Sequence, residues 1–466
     1  MKRITLILIF LLLDNFIKAQ NQSNNWYFGQ FAGITFSTNP PTALTGGQLN
    51  TGEGCTSISD PTGKLLFYSD GISVWDSTHA IMPNGTGLLG DPSSTQSGVI
   101  VPAPGSSTLF YLITAPLWGS LDPLAYSIVD MTLHNGLGDI TVKNVPLLDS
   151  SAEKLTAVYN HNGTDVWIVA HGCGNNNFYA YLLTSGGMST VPVVSSTGNY
   201  IGIEVKEIGY LKASPCGNQL AMADWNYGNI ASTLELFDFN DSTGVVSNGL
   251  QIGEFNVASG VYGVEFSPDN SKLYASVITP GLVVQYDLLA GSPAAIIASM
   301  DTVGISPGNF NGALQTGPDG RIYLVKNSDS WLACIPNPNQ LGSLCGYIED
   351  FVSLGAAAGQ IGLPDFFSSM FCNIPSGVNA NLHPEDLLIY PNPFYSNLTV
   401  SVKNKNIKTV TIMIYDALGQ TVYNNHETNY GNSYTKTVEL SFLVKGIYFF
   451  DLRLDEERMV KKIIKE

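Results

Sequence analysis

Short apolar runs of four to seven residues, broken by turn residues, dominate this chain, and one phrase returns along it. Its clearest copy is Glu265-Phe266-Ser267-Pro268-Asp269-Asn270-Ser271-Lys272-Leu273-Tyr274-Ala275-Ser276-Val277: an apolar run, a Pro-Asp turn, a second apolar run. Proline presets the first turn dihedral and Asp or Asn bonds its own backbone, so the pair reverses a strand and the phrase predicts a β-hairpin. Further copies occupy 59–68, 214–221 and 317–324, and looser ones 104–111 and 160–167. A hairpin returning about every 45–58 residues predicts an array of small sheets.

Each copy is followed by one more apolar run: Ser73–Asp76, Ala125–Val129, Phe178–Leu182, Leu234–Phe239, Leu282–Asp287 and Trp331–Ile335. Six such units, with unpaired apolar halves before them (Trp26–Gly29, Gly33–Phe36) and after them (Phe351–Leu354, Phe366–Phe371), predict an all-β propeller. Strands from both termini then share one sheet and remove the open edge. Seven blades are expected, with six the alternative.

After Asn, Pro, Ser and Gly in 373–386, a linker composition, the texture changes. Leu398–Val402, Val410–Tyr415, Val438–Leu440 and Ile447–Leu452 alternate with Pro and Gly punctuation, predicting a small β-sandwich over 387–466. At the other end, Lys2 and Arg3 precede the apolar Ile4–Leu13, interrupted by Asp14 and Asn15. That run is too short to span a bilayer, and 1–20 reads as a secretory signal cleaved near Ala19 or Gln20. The expected organisation is signal 1–20, propeller 21–372, linker 373–386 and sandwich 387–466, with no transmembrane segment.

Charge narrows the partners. Residues 21–386 hold 8 basic and 29 acidic side chains, whereas 387–466 hold 10 basic and 8 acidic. So acidic a body repels phosphate backbones and anionic membranes, and no nucleic acid is expected. The 6 cysteines of an exported chain suit disulfides. Cys334 and Cys345, flanking the turn at Pro336-Asn337-Pro338-Asn339, are the expected pair; the alternative is buried thiols.

The phrase Ser-Pro-Asp-x-x-x-Leu-Tyr resembles the WD40-like propeller repeats of bacterial exported proteins. The strings Asn25–Gly29, Glu53–Asp60, Met82–Leu89 and Tyr126–Met131 are similar to an uncharacterised family of secreted propellers over about residues 24–372. Cys216 stands where that repeat usually has Asp. Four ordered motifs of the tail closely resemble the type A C-terminal sorting domain of the type IX secretion system. They are Tyr390-Pro391-Asn392-Pro393, Asp416–Val422 with Gly419 and Gln420, Gly446-Ile447-Tyr448-Phe449, and the terminal Lys461-Lys462-Ile463-Ile464-Lys465-Glu466. The resemblance implies engagement of the type IX machinery through 387–466 and export across a Gram-negative outer membrane. Removal of the domain, then release or attachment to surface lipopolysaccharide, would follow. The alternative for the tail is an ordinary carbohydrate-binding or spacer sandwich.

Nucleophile elbows, zinc helices and phosphate loops are absent from the sequence, and no cofactor, metal or catalytic residue is assigned. His171-Gly172-Cys173 could pair an imidazole with a thiolate, although a core thiol is the simpler reading. A glycosidase would need two carboxylates about 5–9.5 Å apart on the central funnel. Candidates are Glu53, Asp60, Asp70, Glu153, Glu204, Asp224 and Glu265. Asp238-Phe239-Asn240-Asp241 could hold calcium or simply make a turn. Trp75, Trp118, Trp225 and Trp331 could stack on sugars or pack between blades. Two functions compete, a secreted or surface module binding an unknown protein or glycan and a glycan-active hydrolase or lyase. A weaker third is an envelope scaffold for adhesion or gliding.

Overall fold

The computed structural model describes residues 20–117, 120, 122–202, 207–225, 231–256, 259–308, 310–372, 387–402, 407–416, 421–431, 433–454 and 457–466. The expected signal residues 1–19, Trp118, Glu204, the linker 373–386, Gly419 and Gln420 lie outside them. The chain divides into two compact units, Met1–Asn373 and Ile374–Glu466.

Among the described residues the first unit contains seven antiparallel sheets. Six begin with an inner strand: Thr56–Ser59, Gly98–Pro102, Ser151–Tyr159, Leu211–Ala213, Val261–Phe266 and Asn311–Thr316. These six inner strands pack in succession, each against its neighbour, so the sheets stand radially around an axis. The seventh sheet consists of Asn25–Phe28, Ala32–Thr35 and Thr42–Ala43. An extended segment from the far end of the unit takes its inner position. Ala313 N donates to Ile361 O (2.8 Å), Cys55 bridges Pro364 in parallel, and Asp365 N donates to Cys55 O (2.8 Å). Both ends of the unit thus share one blade, and this unit is a seven-bladed β-propeller.

The turn phrases do what their residue types dictate. Asp60 Oδ1 accepts from Thr62 N (2.8 Å) and Lys64 N (3.1 Å), while Gly63 takes φ +90°. Asp269 does the same for Ser271 N (2.9 Å), and Ser214 for Asn218 N and Gln219 N. The core lies between blades, where the alternate faces of each sheet meet their neighbours. Trp26, fully buried, packs against Phe36, Tyr323 and Phe366 at 5.0–5.7 Å and so ties the closing blade together.

Three local expectations are corrected. Phe351–Leu354 is not half of a closing blade: Ile348–Ser353 is the outer strand of the sheet holding Trp331–Ile335. Phe366–Phe371 is no strand, since Ser368–Phe371 forms a 3-10 turn. The disulfide joins Cys216 to Cys372, Cα atoms 5.0 Å apart, rather than Cys334 to Cys345. Strand alternation explains why. Cys334 shares the face of Leu332 and enters the main inter-blade core, whereas Cys345 packs with Ala333 and Ile335 on the opposite face. Both remain buried thiols.

The second unit is a β-sandwich. One sheet holds Leu387–Tyr390, Asn397–Val402 and Tyr434–Glu439; the other holds Ile407–Tyr415, Thr421–Gly431, Gly446–Leu454 and Glu457–Lys465. Leu398, Val400, Val402 and Val438 of the first face Val410, Ile412, Ile414, Phe450, Leu452 and Ile463 of the second, the inward positions of alternating strands.

Candidate functional site

Inner strands start at one end of the propeller, and there the axis is pinched. A Cβ on Gly362 would lie 1.8 Å from Glu53 O, and one on Gly312 2.3 Å from Ile361 O, so only glycine permits these backbones to meet. Around this entry end the residues just before or within the inner strands place their side chains on the axis.

Glu53, Thr95, Glu153 and Tyr262 form the outermost layer. Thr95 Oγ1 lies 2.7 Å from Glu153 Oε2 and 3.5 Å from Glu53 Oε2, so two carboxylates share one hydroxyl. Thr95 N also donates to Glu153 (2.7 Å), and Tyr262 Oη donates to Glu53 (2.8 Å). Burial, reinforced by the charge of Glu153, pushes the Glu53 carboxyl up to about 8. Glu153 is 0 % exposed.

Below that layer a polar plug fills the axis. Gln96 acts as a rung between two inner strands: its Nε2 donates to Leu155 O (2.6 Å) and Leu211 O (3.2 Å), and its Oε1 accepts from Leu155 N and Leu211 N. Lys212 Nζ reaches Gln315 Oε1 (2.7 Å), Asp365 Oδ1 (3.0 Å) and Glu265 Oε2 (3.9 Å). All five side chains are buried or nearly so. Burial raises the Glu265 carboxyl to about 7 despite the opposing charge of Lys212. Beside the plug, buried Lys154 donates to Ile208 O and Gly209 O (both 3.0 Å) and lies 3.4 Å from Asp224 Oδ1.

Of the seven funnel carboxylates expected from the sequence, the structure therefore brings Glu53, Glu153 and Glu265 to the axis, while Asp224 ends the second strand of its sheet, Gln219–Asp224, against Lys154. Asp60 and Asp70 belong to turns, Asp70 Oδ1 accepting from Ile72 N (3.0 Å) and Ser73 N (2.7 Å). Sequence reasoning missed Gln96, Lys154, Lys212 and Asp365. A lysine inside an apolar inner strand, as at Leu211-Lys212-Ala213, was the signal available.

Other candidates resolve into structural roles. Burial drives the His171 ring down to about 3 and the Cys173 thiol up to about 12, opposite to an activated thiolate–imidazole pair. Asn240 Oδ1 caps Ser242 N and Thr243 N, and Asp238 accepts from Asn248, so this stretch makes a turn. Trp75 stacks on Tyr68 at 5.4 Å and Trp225 meets Tyr262 edge-on at 6.0 Å; Trp331 is exposed.

In the sandwich, Asn392 ties the first motif to the last. Its Nδ2 donates to Lys462 O (3.1 Å), and its Oδ1 accepts from Ile464 N (2.9 Å). Phe394, buried after Pro393, continues this contact by bonding Ile464 O and Glu466 N, both at 2.9 Å. Gly446 and Tyr448 stand opposite Lys465 and Ile463, while Lys461 and Lys462 oppose Phe450 and Phe449. The Pro391–Pro393, Gly446–Tyr448 and Lys461–Lys462 motifs thus converge on one strand pair.

Comparison with known proteins agrees with this division. Residues 388–466 match the secretion system C-terminal sorting domain. No curated protein matches the chain. Among solved structures, a β-propeller domain from Myceliophteria thermophila is 12% identical, with a TM-score of 0.39 over 66% of this chain and 94% of that one. A Lactobacillus plantarum protein is 13% identical, with a TM-score of 0.37 over 89% and 99%. An exo-β-1,3-galactanase from Phanerochaete chrysosporium is 11% identical, with a TM-score of 0.32 over 82% and 97%. At such scores the propeller assignment rests on the sheet topology described above. The chain is a β-propeller followed by a tail that matches the secretion system C-terminal sorting domain over residues 388–466, a type IX sorting signal that marks it as a secreted or cell-surface protein.

Proposed function

We propose that the propeller is a non-enzymatic binding module for an extracellular protein or glycan, carried to the outer face of the outer membrane by residues 387–466. One observation carries this reading: the carboxylates at and beside the axis are already used by the protein itself. Glu153 is enclosed and held by Thr95, Asp224 lies against Lys154, and Glu265 and Asp365 flank Lys212. A rigid ring of sheets with a plugged axis leaves its end loops as the surface for ligands.

A glycan-active enzyme is the second reading, and Glu53 favours it. A carboxyl held protonated to about pH 8 beside a second carboxyl has the form of a general acid. The enclosure of Glu153 argues against a substrate reaching both groups. Incubating the purified protein with a polysaccharide panel, and measuring reducing ends beside binding, separates the two. Saturable binding without release supports the module; release of reducing ends refutes it.

A further inference from the structure

Three aromatic rings stand in solvent at the entry end: Phe31 is 53 % exposed, Phe310 49 % and Trp331 38 %. They come from three loops, at the turn after Asn25–Phe28, just before Asn311–Thr316, and at the start of Trp331–Ile335. One short segment laces these loops together. Gln30 N donates to Ala358 O (2.8 Å), Gly359 N to Asp329 O (2.8 Å), Ser328 N to Gly359 O (3.0 Å) and Asn327 N to Phe310 O (3.0 Å).

The loops are firmly held. Buried Lys326 pairs with Asp329 (2.9 Å) and Asp350 (2.7 Å), and Asp329 Oδ1 accepts from Trp331 N (3.0 Å). Phe31 adopts φ +57°, a conformation unfavourable for a bulky side chain, and leaves about half of its surface in solvent. Backbone conformations of this kind collect at ligand sites. Exposed Gln30 and Asn327 lie on these loops, exposed Asn50 lies on the segment paired with Gln30, and the Gln360 Nε2 beside them is buried without a partner.

We infer that Phe31, Phe310 and Trp331 form a stacking platform for a neutral polysaccharide, an inference that rests on the binding-module reading. Flat rings separated by amides suit sugars, whose rings expose C–H faces to stack on aromatics and hydroxyls to bond amides. A protein partner would be better matched by a continuous apolar patch. The excess of 29 acidic over 8 basic residues across 21–386 disfavours anionic polymers.

The test is native affinity electrophoresis of the full chain through gels containing laminarin, xyloglucan, galactomannan or dextran, with polygalacturonate as the anionic arm. Phe31→Ala, Phe310→Ala and Trp331→Ala are run beside Leu289→Ala, a more exposed apolar control elsewhere on the surface. Melting temperature is recorded for each. The expected result is retardation by at least one neutral polymer, weakened about tenfold or more by Phe31→Ala and Trp331→Ala at unchanged melting temperature, with Leu289→Ala unaffected. Retardation that survives the ring substitutions overturns the platform while leaving the binding-module reading intact. So does tighter binding to polygalacturonate, or retardation by no neutral polymer. Release of reducing ends from the same polymers overturns the binding-module reading itself.

Discussion

Lys212→Met removes the cation of the axial plug while nearly conserving its volume. Asp365 and Glu265 are then left facing one another, buried, with their Lys212 contacts at 3.0 and 3.9 Å lost. Breaking one side of a buried ion pair costs about 3–5 kcal/mol. Protonation sets a similar limit: keeping one aspartic acid neutral at pH 7, against a reference near 3.9, costs about 4 kcal/mol at 1.36 kcal/mol per pH unit. For a domain of this size that lowers the melting temperature by about 5 °C. The sign with pH follows from linkage. Glu265 already titrates at about 7 in the folded state against about 4.5 unfolded, so its contribution is full below pH 4.5 and is lost as pH rises to 7. Without Lys212 both carboxyls titrate higher still, so the gap between wild type and variant widens from acid to neutral pH. Urea unfolding followed by tryptophan fluorescence at pH 4.5 and pH 7 measures it. A penalty equal at both values, or larger at pH 4.5, refutes the reasoning.

Other consequences are as direct. Cys216→Ser should destabilise the propeller by about 2–5 kcal/mol, since the bridge closes a span of 156 residues, while Cys334→Ser should leave reductant sensitivity unchanged. Thermal melts with and without dithiothreitol, and a disulfide-linked peptide map, check this; a Cys334–Cys345 peptide contradicts it. Gly362→Ala places a methyl 1.8 Å from Glu53 O and should cost about 3 kcal/mol or prevent closure, read by limited proteolysis. Glu53→Gln removes a carboxyl raised to about 8, so the fall in stability between pH 4.5 and 8 should flatten in melts across that range. Deleting 387–466 should leave the propeller inside the cell envelope, scored by fractionation and blotting of cells and medium.

Local chemistry was legible along the chain because a propeller repeats it. Asp60, Ser214 and Asp269 announce hairpins by bonding their own turns, and the strands beside them begin within a residue or two of their apolar runs. Outer strands such as Val245–Phe255 escaped, because one edge faces water and the strand carries Ser247, Asn248, Gln251 and Glu254 in place of a clean apolar run. The disulfide escaped for a different reason: Cys334 and Cys345 are near in sequence but lie on opposite faces of a sheet, and Cys216 meets Cys372 only once the ring closes. The axial plug likewise draws Gln96, Lys212, Glu265, Gln315 and Asp365 from five separate inner positions. No spacing within the sequence records that meeting.

The measurement that bears most directly on the whole account is isothermal titration of the wild-type protein with a polysaccharide that retards it, run beside a reducing-end assay, with Glu53→Gln and Glu153→Gln in parallel. The account predicts saturable binding with no turnover in any of the three proteins. Turnover by the wild type that disappears in Glu53→Gln would contradict it and make the carboxylates at the entry catalytic.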